Sequence, residues 1–320
     1  MTKQALSRRL PAVAAVALVA IAGCGGSKAG PTTSSGGSRS SAAPAGAFPV
    51  TIAAANGTVK ISKRPASIIS LAPTATEMLY AIGAGGQVTA VDQDSSYPPQ
   101  APRTSLSGLT PNIEAIVARK PDLVVVSNYA ANVTKRLAPF GIPVLSLPSP
   151  ASLDGVYAEF DELGTATGHE AQAKAEVSTL RRQIAAIIAA VPHHAKPLSY
   201  YYELDQTYYS VTSSTFIGKL LGLLGMKSIA DAAKGAAAAG GYPQLSAEFI
   251  VRSDPDYIIL ADTICCHQDA ATVAARPGWS GIAAVKDKHI IALNDNIASR
   301  WGPRIVDLLR AVVAGLKAGR

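Results

Sequence analysis

Residues Asp154 to Val191 read DGVYAEFDELGTATGHEAQAKAEVSTLRRQIAAIIAAV. From Glu170 onward the run holds no proline or glycine and is rich in alanine and other good helix formers. Val177, Leu180, Ile184, Ile187 and Ile188 fall on the three-to-four-residue repeat of one apolar helical face. Pro192 and His193 stand at the stop. The spacing predicts one helix of about two dozen residues, on the order of 33 Å at 1.5 Å per residue, near the middle of the chain. A span of that length can bridge two lobes.

The flanking segments share a phrase. Before the helix stands Ile113-Glu114-Ala115-Ile116-Val117-Ala118-Arg119-Lys120-Pro121-Asp122-Leu123-Val124-Val125-Val126, and after it Ala247-Glu248-Phe249-Ile250-Val251-Arg252-Ser253-Asp254-Pro255-Asp256-Tyr257-Ile258-Ile259-Leu260. With Glu114 set against Glu248, both Pro-Asp pairs coincide without a gap. Each copy reads as a short helix with Glu in its first turn, a Pro-Asp break, and a β-branched run suited to a buried parallel strand. Two similar α/β lobes with mostly parallel sheets, joined by one long interlobe helix, are therefore expected. Two unrelated units sharing a common Pro-Asp turn are the alternative.

At the start, Lys3, Arg8 and Arg9 precede an apolar run from Leu10 to Ala22, too short for a comfortable membrane span and built like a signal peptide. Ile21-Ala22-Gly23-Cys24 resembles the bacterial lipobox, which would make Cys24 the lipidated residue; a plain secretory signal is the alternative. Gly25 to Ala47 is Gly, Ser, Thr, Pro and Ala-rich without an acidic residue, a flexible tether. The expected division is signal peptide 1–23, tether 24–48, N-terminal lobe 49–152, interlobe helix 153–195 and C-terminal lobe 196–320.

The formal charge of +7 is unevenly placed. Of 29 Lys and Arg, 8 precede Glu77, the first acidic residue, leaving 21 basic against 22 acidic residues beyond. The body is thus neutral, and no basic cluster with interleaved aromatics supports nucleic-acid binding.

Strands are predicted at Ser67 to Leu71, Val88 to Val91, Leu123 to Ser127, Val144 to Leu147 and His289 to Leu293. Thr74-Ala75-Thr76-Glu77 reads as a capping box opening a helix that ends at Gly83, and Leu198 to Tyr202 with Tyr208 to Val211 reads as a hairpin. Gly83-Ala84-Gly85-Gly86 follows a helix and precedes a strand, the reverse of a phosphate loop. Further helices are expected at Val133 to Leu137, Phe216 to Leu224 and Pro303 to Leu316.

In parallel sheets, ligands gather beyond the carboxyl ends of the strands. The loops there hold Tyr97, Tyr129, Cys265, Cys266, Arg300 and Trp301, with Tyr242 beside the second repeat. That aromatic set with few polar groups suits a large, partly flat ligand, and no hydrolytic triad, HExxH or phosphate loop accompanies it. The bland readings are packing for Tyr97 and Tyr242, a helix start before Pro303 for Arg300-Trp301, and buried support for Trp279. Cys265-Cys266-His267 admits a redox or packing role, ligand contact, or metal or haem ligation by His267, but lacks the spacing of a zinc site. The other histidines are scattered. Glu114 and Glu248 are favourable at helix starts without any function; their recurrence raises the alternative of two carboxylates engaging a two-fold symmetric partner.

From Pro65 onward the chain resembles the periplasmic binding proteins of cobalamin and iron-siderophore or haem ABC importers, nearest to the cobalamin-binding members. The resemblance rests on Ser70-Leu71-Ala72-Pro73 with Thr76-Glu77, Ser96-Tyr97-Pro98-Pro99-Gln100-Ala101, the Asn112 to Val124 segment, Tyr242-Pro243-Gln244 with Glu248, and Pro303-Arg304-Ile305. It implies a rigid two-lobed binder without enzymatic activity or resident cofactor, lipid-anchored on the extracytoplasmic face and monomeric. Its ligand would be a corrinoid, or else haem or a ferric siderophore, held in the cleft; Glu114 and Glu248 would dock on the permease dimer with its ATPase. Two positions depart from the cobalamin pattern, with Gly108 in place of a tryptophan and Glu203 in place of an aromatic. A chelatase of similar build is the enzymatic alternative, and a metal-ion binder would need more cleft histidines.

Overall fold

The computed structural model describes residues 47–127 and 131–319; Cys24, the signal segment, most of the tether and Tyr129 lie outside them. The N-terminal lobe opens with a hairpin, β1 (Val50–Ala54) and β2 (Gly57–Ile61). The Asn56-Gly57 pair between two strand-like runs is its signal, and Gly57 takes the positive φ such tight turns demand. Then follow β3 (Ile68–Ser70), α1 (Pro73–Ala81), β4 (Val88–Val91), α2 (Ile113–Val117), β5 (Leu123–Val126), α3 (Ala131–Leu137) and β6 (Val144–Ser146). Two helices, α4 (Leu153–Thr167) and α5 (Glu170–Ala189), lead across. The C-terminal lobe comprises β7 (Leu198–Glu203), α6 (Phe216–Gly222), β8 (Met226–Ser228), α7 (Ala247–Ser253), β9 (Tyr257–Leu260), α8 (Ala270–Ala274), α9 (Ala283–Lys286), β10 (Ile290–Ala292), α10 (Asp295–Ala298) and α11 (Ile305–Ala318).

Both four-stranded sheets are parallel and have the same order, β4-β3-β5-β6 in one lobe and β8-β7-β9-β10 in the other. The repeated phrase falls on corresponding elements, α2 with β5 and α7 with β9. Its details recur as well. Lys120 and Asp254 both adopt left-handed φ, 48° and 44°, before their prolines. Asp122 Oδ2 accepts from the Ser67 N–H at 3.0 Å and Asp256 Oδ2 from the Ser199 N–H at 2.7 Å, so each Pro-Asp carboxylate ties its strand to the start of the central one. A common turn in unrelated units would not repeat these bonds.

The interlobe segment is two helices rather than one. Gly168 takes φ 73° and ends α4, and the Arg64 guanidinium reaches the terminal Thr167 carbonyl at 3.0 Å, where a cation suits the helix dipole. The chain then folds back, with α5 packed on α4 and on α11. Helix α5 is the bridge: its 20 residues, about 30 Å, run from the Arg64-bound His169 to an end packed along α11. One apolar cluster runs from Ile52 and Met78 through Phe160 and Leu180 to Tyr202 and Leu309, joining both lobes along this face. A continuous core resists hinge motion because opening it would expose apolar surface.

Two local expectations fail. Thr74 does not cap α1; Ala72 precedes the helix, Pro73 occupies its first turn, and Glu77 points inward. Tyr208 to Val211 does not pair with β7. The segment pairs instead with residues after the Ala/Gly loop, through Ser210 N–H to Pro243 O at 3.0 Å and Leu245 N–H to Tyr208 O at 3.0 Å.

Candidate functional site

Beyond the carboxyl ends of the N-terminal strands lies a cavity of about 300 Å3. The N-terminal lobe supplies Leu71 to Ala75, Asp92, Asp94, Gly108, Leu109, Ser127 and Leu147; α4 supplies Glu159, and the C-terminal lobe closes it with Ser299, Arg300 and Trp301. Arg300 and Trp301 thus reach the cavity as a pair. Trp301 is half-buried, with its indole N–H on Glu159 Oε2 at 2.8 Å.

Arg300 is held across the lobe boundary. Its guanidinium donates to Glu77 Oε1 at 2.9 Å, Asp94 O at 2.9 Å and Asn296 Oδ1 at 2.7 Å. Arg304 meets the same carboxylate through Nε to Oε2 at 2.9 Å and Nη2 to Oε1 at 2.6 Å, and lies 4.3 Å from the Tyr97 ring centre. Glu77 holds Arg304 above the usual arginine value. One fully buried carboxylate therefore clamps two cations from the opposite lobe. Asp92 is buried beside it, bonded by the Ser95 hydroxyl, and burial pushes its carboxyl up.

Gly108 cannot carry a side chain here, because a Cβ would stand 2.6 Å from the Leu71 carbonyl oxygen. The apolar contribution passes to Leu109, 65% exposed on the cavity lining. Glu203 is fully buried and paired bidentately with Arg276, at 2.6 Å for both bonds. Arg276 covers Trp279, which is buried support for the C-terminal lobe.

The other candidates stand apart. Tyr97, 41% exposed, lies beside the clamp, while Tyr242, 43% exposed, stands on the C-terminal lobe and is not a lining residue of this cavity. Cys265 and Cys266 are free thiols in the loop after β9, also off the cavity lining. Cys265 is exposed; Asp295 accepts from its N–H at 2.7 Å, and partial desolvation, with Cys266 and Asp295 adding, pushes the thiol up, away from the thiolate form. No group of three or more potential metal ligands is clustered among the described residues. Glu114 and Glu248 are both exposed in the first turns of α2 and α7, whose caps are Asn112 and Ser246. Asp92, Glu159 and Leu109 on the cavity lining, and Glu77 in the clamp behind Arg300, are the site residues that the sequence pattern did not single out. Only Glu159 had a signal, lying within the apolar Val156, Phe160 and Leu163 stripe of α4.

The family model described as periplasmic binding protein matches residues 68–297. The chain belongs to that family. As a periplasmic binding protein it is a binder and not an enzyme, and the cavity is read accordingly. It is 34% identical over 272 residues to the cobalamin-binding protein of Halobacterium salinarum (strain ATCC 29341 / DSM 671 / R1), covering 81% of this chain and 72% of that one. It is 31% identical over 270 residues to the ABC transporter substrate-binding lipoprotein YvrC of Bacillus subtilis (strain 168), covering 81% and 83%. A solved structure from Staphylococcus epidermidis ATCC 12228, described as a possible iron-binding, periplasmic solute-binding protein, superposes with a TM-score of 0.69 at 29% identity, covering 79% and 99%.

The buried acids of this periplasmic binding protein make its stability pH-dependent. Burial raises Glu159 to about 8 and Asp262 to about 7, the latter aided by neighbouring Glu203. Folding holds protons that the unfolded chain gives up near the ordinary carboxyl value. The stability they lend is therefore complete below that value and lost as pH rises through 7 to 8. Urea unfolding between about pH 5 and pH 7 should show stability falling by up to on the order of 1 kcal/mol per pH unit and group, levelling off above the folded-state values, with a shallower slope in Glu159→Gln.

Proposed function

We propose that this periplasmic binding protein captures a corrinoid between its lobes and delivers it to an ABC permease dimer, anchored through lipidated Cys24 on the extracytoplasmic face. The observation that carries the ligand reading is the interlobe cavity walled by Leu71, Leu147 and Trp301, with Leu109 and Tyr97 exposed beside it. A corrinoid is larger than this cavity. It would enter by one edge and extend over Leu109 and Tyr97, where apolar contact and stacking favour a flat macrocycle. The 34% identity to a cobalamin-binding protein over most of the chain supports the same class. Haem or a ferric siderophore is the second reading; the likeness to the Staphylococcus epidermidis structure, described as possible iron-binding, favours an iron-bearing ligand of either kind. Equilibrium dialysis against cobalamin and haemin tests the two: retention of cobalamin is expected, and retention of haemin alone would establish the second.

Delivery is assigned to Glu114 and Glu248. They occupy equivalent positions on α2 and α7, one per lobe, and a two-fold symmetric permease can offer two matching basic pockets to such a pair. Glu248 is held below the usual carboxyl range by its own backbone N–H and Ser246. Glu114→Ala and Glu248→Ala should each weaken stimulation of the permease ATPase about tenfold while leaving ligand affinity unchanged. Loss of ligand binding in Glu248→Ala with the fold intact would remove the assignment.

A further inference from the structure

Glu159 is a buried acid at the cavity wall without a cation. It is 4% exposed; Oε2 accepts from the Trp301 indole at 2.8 Å, and Oε1 has no hydrogen-bond partner among the described residues. Its charged surroundings are Glu162 on the same helix and Asp92, Asp94 and Arg300 on the cavity lining. Arg300 is committed to Glu77 of α1, Asp94 O and Asn296, and the buried face of α5 is Ala173, Leu180 and Ile184. Burial raises Glu159, Glu162 adds to the effect, and the Trp301 bond opposes it. At neutral pH the group is thus a neutral acid, able to accept from the indole with one oxygen and donate from the other.

We propose that Glu159 is a specificity-determining residue of the cleft: one carboxyl oxygen fixes the Trp301 indole as a wall, and the other, shut off from solvent, turns to meet a neutral polar group of the ligand, such as a carboxamide. The ligand half rests on the corrinoid reading; the positioning of Trp301 does not. A neutral acid donates to the carbonyl of a corrinoid side-chain amide without leaving a buried charge. A porphyrin carboxylate brought to the same place would face Asp92 and Asp94.

The test begins without ligand. Tryptophan emission is followed from about pH 6 to about pH 9 in the wild type, Glu159→Gln and Trp301→Phe. The wild type should show a transition centred near 8 that is absent from both variants, whereas any step from Asp262, which neighbours the Glu203–Arg276 pair over Trp279, is common to all three. Over the same range the Kd for cyanocobalamin should rise about tenfold in the wild type and stay level in Glu159→Gln, which keeps an acceptor for the indole and a donor for the ligand. Glu159→Leu, which keeps neither, should lose at least about tenfold at every pH. A wild-type emission profile without the step near 8, or a step near 8 that persists in Glu159→Gln, overturns the positioning of Trp301. A normal emission transition without cyanocobalamin binding at any pH supports the positioning and overturns the corrinoid reading instead.

Discussion

Replacing Glu77 with alanine is expected to lower the unfolding free energy by about 3–5 kcal/mol, the range for stripping one partner from a buried ionic group. Glu77 is 1% exposed, and both guanidinium groups it holds are largely withdrawn from water, with Arg300 and Arg304 side chains 8% and 15% exposed. Without it Arg300 retains only neutral acceptors, Asp94 O and Asn296 Oδ1. The cost is the desolvation of two cations that the carboxylate had offset. The contrasting case is Arg310→Ala, which breaks an exposed pair with Asp307 and should cost less than about 1 kcal/mol. Urea unfolding of the two variants separates them. A loss below about 1 kcal/mol in Glu77→Ala would mean that the lobes part at this point and let both arginines reach water.

Trp301→Ala is expected to weaken cobalamin binding about a hundredfold, on the order of 3 kcal/mol. The indole joins α4 to the closing segment of the C-terminal lobe, so its loss removes an apolar wall and leaves both Glu159 oxygens without a hydrogen-bond partner among the described residues. Tyr97→Ala should cost less, about tenfold, because Tyr97 is 41% exposed and not a lining residue of the cavity. Isothermal titration at one pH measures both. Equal losses would move the ligand out of the cavity and onto the rim.

The lobes were legible because each is encoded locally. A short helix, a Pro-Asp break and a β-branched run need few distant partners to be recognised, and their spacing survives in both copies. The pairing of strands was less legible. Leu198 to Tyr202 and Tyr208 to Val211 have the composition of a hairpin, yet the second segment finds its partner beyond an Ala/Gly loop, a choice made by tertiary packing. Glu77 shows the same limit at the site. Four residues, Thr74 to Glu77, fit a capping box, but its partners lie 223 and 227 residues away, and no local pattern records them. The break at Gly168 could have been read, since glycine after a periodic run is a helix stop. The cleft as a place was legible from the parallel sheets; the clamp within it was not.

Titration of the intrinsic tryptophan emission with cobalamin, haemin and a ferric siderophore, corrected for inner-filter absorbance, bears most directly on the central claim. Trp279 is fully buried in the C-terminal lobe and Trp301 lines the cavity, so a ligand in the cleft should quench Trp301 most strongly. The account predicts saturable, one-to-one quenching by cobalamin alone, strongly reduced in Trp301→Phe. Saturable quenching by haemin without any by cobalamin, or cobalamin quenching unchanged in Trp301→Phe, would contradict it.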